Sequence, residues 1–242
     1  MYRYVYCITG TLQKPIKDMM IGLENAAVRI VQYREITAII SEVMTAQIHV
    51  SNESVLRHAA VIEAIQKEQT VLPMKYSSVF KDDAGVIEFL KNRYAVFISD
   101  LDRLQDKMEM GLRIIMKNTV QNKDDEELSD EKYSSNPGID YLQQKRAYYA
   151  SLDENDARVK EIVKTCHAQF EDICVEFKRD THSSFLQGVS LNYLIHKDFI
   201  NEFKNRFNDL KSGLSELQFL CSGPWPPYHF VSPGGSVEHG II

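Results

Sequence analysis

His58 and Glu63 lie five residues apart in RHAAVIEAI, close to the helical arrangement with which metalloproteases hold zinc. That chemistry needs a second His four residues from the first, with the Glu directly after it. The second His is missing, which leaves a polar contact at a protein surface or ordinary exposed groups on a helix. Cys166 and His167 are adjacent. Neighbours on a helix point about 100° apart, so the imidazole is poorly placed to deprotonate that thiol, and the pair reads as a core Cys beside a surface His. The stretch from Gly188 matches a nucleophile elbow only until its fifth residue, which is Asn192, and Ser190 would fall inside a strand instead of at a strand-to-helix turn. Asp82 and Asp83 suit the positive end of a helix dipole better than a carboxylate pair. No glycine-rich phosphate loop of either common type occurs. These readings assign no catalytic, cofactor-binding or metal-binding residue, and the chain is not expected to be an enzyme.

Composition narrows the classes further. The chain has 242 residues, 44% of them hydrophobic and 26% charged, as in ordinary globular proteins. Its 28 Lys+Arg against 34 Asp+Glu give a net charge of -6, which lacks the basic excess that attracts phosphate backbones, so no nucleic-acid partner is expected. The best apolar run, Tyr94 to Ile98, is far short of the roughly 20 residues that cross a bilayer. No membrane partner is expected, and the alternating aromatic start does not read as a secretory leader, which implies the cytoplasm. Cys7, Cys166, Cys174 and Cys221 are scattered without metal-ligand spacing and read as small apolar residues in a reducing compartment.

Elements follow from periodicity. Tyr2 to Thr9 places Tyr2, Tyr4, Tyr6 and Ile8 on one face of a strand and Val5 and Cys7 on the other, the pattern of a central strand. Val28 to Tyr33 and Ile36 to Val43 read as a hairpin turning at Arg34-Glu35. A helix capped by Ser51 or Asn52 runs to about Lys67. Thr70 to Phe80 reads as an edge strand or bulge around Pro73, which cannot donate to a ladder. One helix is predicted from about Asp83 to Leu104, with Val86, Leu90, Phe97 and Leu104 in its apolar stripe.

The second half predicts a strand over Met110 to Lys117 and then an acidic loop, where six of the eight residues from Asp124 to Glu131 are acidic. A long helical region follows from Ile139 to about Asp180. Short strands at Ser183 to Leu186 and Val189 to His196, a helix at Asp198 to Lys211 and a strand at Leu214 to Cys221 complete it. The order strand, helix, strand, strand, helix, strand is the ferredoxin-like plan. The expected fold class is therefore α+β with two domains: residues 1–104, an N-terminal α+β domain, and residues 105–221, a ferredoxin-like βαββαβ sheet with an extended helical insertion.

Residues 222–242 form a Pro-rich tail, expected to pack back on the domain interface. Within it Gly223, Pro224, Trp225, Pro226, Pro227 and Tyr228 sacrifice backbone donors for rigidity. The reading is a structural clasp, or a proline-rich ligand for another protein. Trp225 is expected to bury its ring, worth about 2 to 3 kcal/mol from area. Pro73, Lys75, Tyr76 and Phe80 form the candidate partner surface.

Several of these residues carry a resemblance across nearly the whole length. They are Tyr4-Val5-Tyr6; His58, Val61 and Glu63 ahead of Thr70 to Met74; Val79-Phe80; Gly111-Leu112 with Lys117; Tyr141-Leu142 with Arg146; Leu191 to Leu194; and Gly223 to Tyr228. The chain resembles the gas vesicle protein F/L family. It departs from the family pattern at Lys75 to Ser78, where Arg-Phe-Gly-Thr is usual, and at His229-Phe230, where Ser-Phe is usual. The resemblance implies a non-catalytic minor structural or assembly component of the gas vesicle, a hollow buoyancy shell. It further implies that the partners are the hydrophobic major shell protein and other gas vesicle accessory proteins, and no cofactor. The alternative, resting on strand order alone, is a ferredoxin-like regulatory domain that binds a small ligand between sheet and helices.

Overall fold

The computed structural model describes residues 1–12, 14, 20–115, 157–180, 188–214 and 217–232. The acidic stretch, the expected helix start at Ile139 and the expected strand at Ser183 to Leu186 lie outside them.

In the N-terminal half, β1 (Tyr2–Gly10) is the central strand. With β2 (Arg29–Tyr33), β3 (Ile36–Val43) and β4 (Val71–Pro73) it forms an antiparallel sheet in the order β2-β3-β1-β4. The two-residue β5 (Val79–Phe80) also pairs with β1. The hairpin turns at Arg34-Glu35 as expected, with Arg34 at φ 52°. The interrupted stretch from Thr70 to Phe80 supplies both short strands along one edge of β1.

The face assignment of β1 changes halfway. The register shifts between Val5 and Cys7, and an inserted residue reverses the alternation beyond it. Tyr4, Tyr6 and Cys7 therefore share one core, whereas Val5 and Ile8 share the other. Strict alternation had put Ile8 with the tyrosines.

α1 (Asn52–Gln66) covers the tyrosine face through Val61, Ile62 and Ile65. It starts in a capping box in which Ser51 and Ser54 each accept from the other's backbone N–H. The opposite face is covered by α2 (Asp83–Asn92) and α3 (Tyr94–Arg103). These replace the single helix expected from Asp83 to Leu104. The break is Arg93, at φ -115° and ψ 11°. It lets α2 lie on β2 and β5 while α3 lies on β1 and β4, and the apolar stripe runs unbroken through it because Val86, Leu90, Phe97 and Leu104 are all buried. Asp82 caps α2 by accepting from Gly85 N–H at 2.9 Å, and Asp83 instead holds Arg3 and Arg29.

The C-terminal half is a four-stranded antiparallel sheet, β6 (Lys107–Ile115), β7 (Cys174–Asp180), β8 (Val189–His196) and β9 (Gln218–Trp225), ordered β7-β8-β6-β9. Helical residues 157–168 (α4) and α5 (Ile200–Gly213) cover one face. Their Val159, Cys166, Phe203 and Leu210 share a core with Met110, Leu112, Leu191, Tyr193 and Phe219. The mixed architecture of helices and two sheets agrees with the expected α+β class.

Two boundaries need correction. The helix expected to reach Asp180 ends by residue 168, and residues 174–180 are β7, the partner of β8. Ile173 and Phe177 misled because a spacing of four is in phase with both a helix and a strand. The last strand runs to Trp225 instead of ending at Cys221, so half of the Pro-rich hexapeptide is β-structure. Phe199 also leaves the expected helical stripe: it ends a 3-10 turn and is exposed.

The halves meet in a continuous core. Leu194 of β8 and Phe230 beyond β9 are buried with Val5, Leu90 and Phe97 of the N-terminal half.

Candidate functional site: the tail at the junction of the halves

Gly223 starts the approach to the junction. Its φ of +106° is a conformation that side chains rarely adopt, and a Cβ there would sit 2.7 Å from the Glu109 carbonyl oxygen. Only glycine lets β9 cross β6 so closely while Trp225 comes opposite Glu109. After β9 the chain turns sharply. Tyr228 N–H donates to Pro226 O at 2.7 Å and Phe230 N–H to Pro227 O at 3.0 Å.

The ring that anchors this segment belongs to Phe230, which is 0% exposed, whereas Trp225 is 41% exposed. The expectation that Trp225 buries its ring is thus corrected. The indole lies on an edge strand whose outward side chains meet solvent, and the prolines turn the chain so that the next aromatic but one points inward. Pro226 and Pro227 are buried, and Tyr228 is exposed.

Two buried carboxylates, one from each half, hold the segment. Asp100 of α3 is 2% exposed and Glu109 of β6 is 3% exposed. Asp100 accepts from Ser232 N–H and from Ser232 Oγ–H, each at 2.8 Å, and from Arg103 at 2.9 Å. Glu109 Oε2 accepts from His229 N–H at 2.9 Å, and Oε1 lies 2.5 Å from His229 Nδ1. Arg103 also donates to the Phe230 carbonyl and, at 2.7 Å, to Glu176 of β7. Lys178 donates to the His229 carbonyl at 2.9 Å and places its ammonium 5.2 Å from the centre of the Phe230 ring. The Glu109 carboxylate beside it raises the His229 pKa above the ordinary histidine value, partly offset by burial. Charge-assisted bonds from buried carboxylates to backbone N–H groups are a way to fix a peptide segment.

The candidate partner surface is divided. Pro73 is buried in β4 opposite Cys7, and Phe80 packs on Phe89 with ring centres 5.1 Å apart. Pro73 serves the interior, because β4 is folded onto β1, whereas Phe80 is only half-buried. Lys75 is exposed, and the half-buried Tyr76 places its hydroxyl 2.7 Å from Ser54 Oγ at the start of α1. Val50, Val55 and Leu56, just before and within the first turns of that helix, are exposed, as is Met44 directly after β3.

His58 is buried, against the expectation of a surface polar group. Tyr4 accepts from Ser77 N–H at 3.2 Å, and its hydroxyl lies 2.8 Å from His58 Nδ1. Desolvation pushes the imidazole pKa down to about 4, and a contact with the Met74 backbone offsets part of that. Glu63 is exposed and takes no part. His167 stacks on Phe177, centres 4.3 Å apart, instead of standing at the surface. Burial raises the Cys166 thiol pKa to about 11, which removes thiolate character.

A cleft of about 560 Å³ lies at the junction, lined in part by Thr9, Gln66, Gln69, Leu104, Lys107 and Pro227. It is not the space between the C-terminal sheet and its helices, which is filled by Phe170, Tyr193 and Phe203. Among the described residues no three His, Cys, Asp or Glu side chains converge on a metal site, and no helix is long and apolar enough to cross a membrane.

The sequence reading missed Asp100, Glu109, His229, Phe230 and Ser232. A signal existed for the acids. Asp100 stands three residues after Phe97 and four before Leu104 on a buried stripe, and Glu109 interrupts the apolar strand Met108 to Leu112. A carboxylate at such a position needs a specific donor.

The chain is similar over residues 2–232 to the family described as gas vesicle synthesis protein GvpL/GvpF. Gas vesicle protein L of a Streptomyces species is 24% identical to it, with 95% of this chain and 92% of that protein aligned. Gas vesicle protein F1 of Halobacterium salinarum is 23% identical, over 89% and 88% respectively. In fold it is similar to the crystal structures of GvpF from Microcystis aeruginosa, with a TM-score of 0.75 at 16% identity over 96% of this chain and 99% of that one, and from an Anabaena species, with a TM-score of 0.74 at 19% identity over 96% of each. With the family matched from the first strand to the end of the tail segment, this chain belongs to the GvpL/GvpF family of gas vesicle synthesis proteins.

Proposed function

We propose that this chain is a non-catalytic minor structural or assembly component of the gas vesicle, acting in the cytoplasm and on the vesicle by binding the hydrophobic major shell protein. The observation that carries this reading is the family match over residues 2–232. Relatives named gas vesicle proteins L and F over most of their length support it. The physical rationale is that a subunit with a large apolar face aggregates when free in water, and a partner that covers the face prevents this.

The surface offered is the start of α1, where Val50, Val55 and Leu56 are exposed and Tyr76, the neighbour of the exposed Lys75, reaches Ser54. In this reading residues 1–104 and 105–221 are two domains, the second ferredoxin-like, which the order β7-β8-β6-β9 supports. Gly223 to Tyr228 bring the tail to the clasp, and the residues that grip follow directly. Pull-down of the shell protein by the purified chain, with vesicle yield after deletion, tests the proposal. Capture and reduced yield are expected; no capture and normal yield would overturn it.

A further inference from the structure

We propose that His229 and Glu109 form a proton-operated latch, which holds residues 226–232 over the junction of the two halves when the imidazole is charged and loosens them when it is neutral. The geometry places the pair where it controls the segment. His229 uses both its backbone N–H and Nδ1 on the two oxygens of Glu109. Phe230, the next residue, inserts into the shared core, and Ser232 closes on Asp100. A loss of grip at His229 is therefore felt directly by the aromatic anchor. The imidazole is half exposed while its partner is buried, so solvent protons reach the latch without unfolding.

The charged groups around His229 come from three elements. Glu109 faces it from β6; Glu176, Lys178 and Asp180 belong to β7; Asp100 and Arg103 belong to α3. Glu109 and Asp180 favour the imidazolium, and Lys178 opposes it. Glu176 sits between Lys178 and Arg103, 3.4 Å and 2.7 Å away, and Arg103 is also paired with Asp100. The balance favours the proton, in agreement with the raised pKa of His229.

The sign follows from linkage. The latched state binds the proton more tightly than the released state, so latching is strongest below the ordinary histidine value of about 6.5. It declines as pH climbs through the higher, latched value and levels off above it. A neutral imidazole still donates through Nδ1–H, so the alkaline latch is weaker but not abolished. The latching equilibrium changes by up to about tenfold for each pH unit that separates the latched and released pKa values.

The test is hydrogen exchange of the full chain between about pH 6 and 9, which brackets a raised histidine pKa, with rates corrected for the intrinsic effect of pH. Protection of the amides from Tyr228 to Ser232 should fall with pH relative to β1 and β8. In His229→Ser, whose site is open enough to accept the change, protection should be low and flat with pH. A flat profile in the unaltered chain, or the original profile surviving in His229→Ser, would overturn the proposal. Titration of the His229 ring by NMR is the second measurement. A pKa above that of a free histidine supports the latch, and one at or below it sinks it.

Discussion

His58 and His229 sit in two regions that treat the same side chain in opposite ways. Around His58, α1 and β1 enclose the ring with Tyr4, Tyr6 and Tyr76, and nothing there favours a positive charge over its loss of water. Around His229, a buried carboxylate is already present and a cation relieves it. The first region gains order by excluding charge, and the second by pairing it. The interior of the N-terminal half is thus insensitive to protons until acid is added, whereas the junction responds on the alkaline side.

The sharpest way to break this comparison is to remove the anchor common to the junction's bonds. Phe230→Ala leaves a cavity in a shared core, and truncations of buried aromatics cost about 3 to 5 kcal/mol. Urea denaturation should show that loss, and the exchange protection of Tyr228 to Ser232 should go with it. A loss under about 0.5 kcal/mol, the size usual for surface changes, would mean that the tail does not join the core.

Next in size is the acid limb set by His58. Its folded pKa of about 4 lies below the ordinary value of 6.5, so the unfolded chain binds the proton first as pH falls. The stability contributed by the neutral ring is complete above about 6.5 and is lost as pH drops toward about 4, by roughly 3 kcal/mol in total. His58→Phe, whatever its own stability, should flatten the slope of urea midpoint against pH in that window. An unchanged slope would place the titrating group elsewhere. The alkaline limb belongs to His229 and has the opposite sign.

Much of this was legible in the sequence, for reasons that also explain the failures. The hairpin at Arg34-Glu35, the Ser51 cap and the covered stripe of β8 are fixed by local periodicity and turn chemistry, and they stand where expected. On α1 the expected stripe of Val55, Leu56, Ala59, Ile62 and Ile65 is covered only at its far end, because His58 and Val61 face the sheet and Val55 and Leu56 are exposed. β7 was hidden because Ile173 and Phe177 continue the spacing of α4, and only pairing with β8 decides between the two periods. The bulge in β1 leaves no local mark at all, being set by the partner strand. At the junction, the prolines announced a rigid segment packing back on the domain interface, but not the sharp turn that follows Trp225. Which aromatic it would bury depended on Asp100 and Glu109, far away in the chain.

A smaller effect separates two tyrosines. Tyr4 is held by Ser77 N–H and His58, so Tyr4→Phe removes a buried network and should cost about 1 to 2 kcal/mol. Tyr193, in the C-terminal core, has a buried hydroxyl with no hydrogen-bond partner among the described residues. Tyr193→Phe should be neutral or stabilise by up to about 1 kcal/mol, because it removes a desolvated polar atom without opening a cavity. Thermal melts of the two variants should move apart, and equal losses would show that Tyr193 has a partner.

The smallest expected effect is at the residue the composition makes most conspicuous. Trp225 is the lone tryptophan of the chain and stands among three prolines, yet its ring meets solvent on an edge strand. Trp225→Ala exposes little that was sealed, because water fills the space the indole leaves, and it should cost about 1 kcal/mol from lost partial burial. The backbone course through Gly223 and the prolines stays in place, so the latch should keep its pH profile in this variant. If Trp225→Ala instead matched Phe230→Ala in urea and stripped protection from Tyr228 to Ser232, the indole would be the true anchor of the tail. The carboxylate bonds at Asp100 and Glu109 would then follow from the docking instead of causing it.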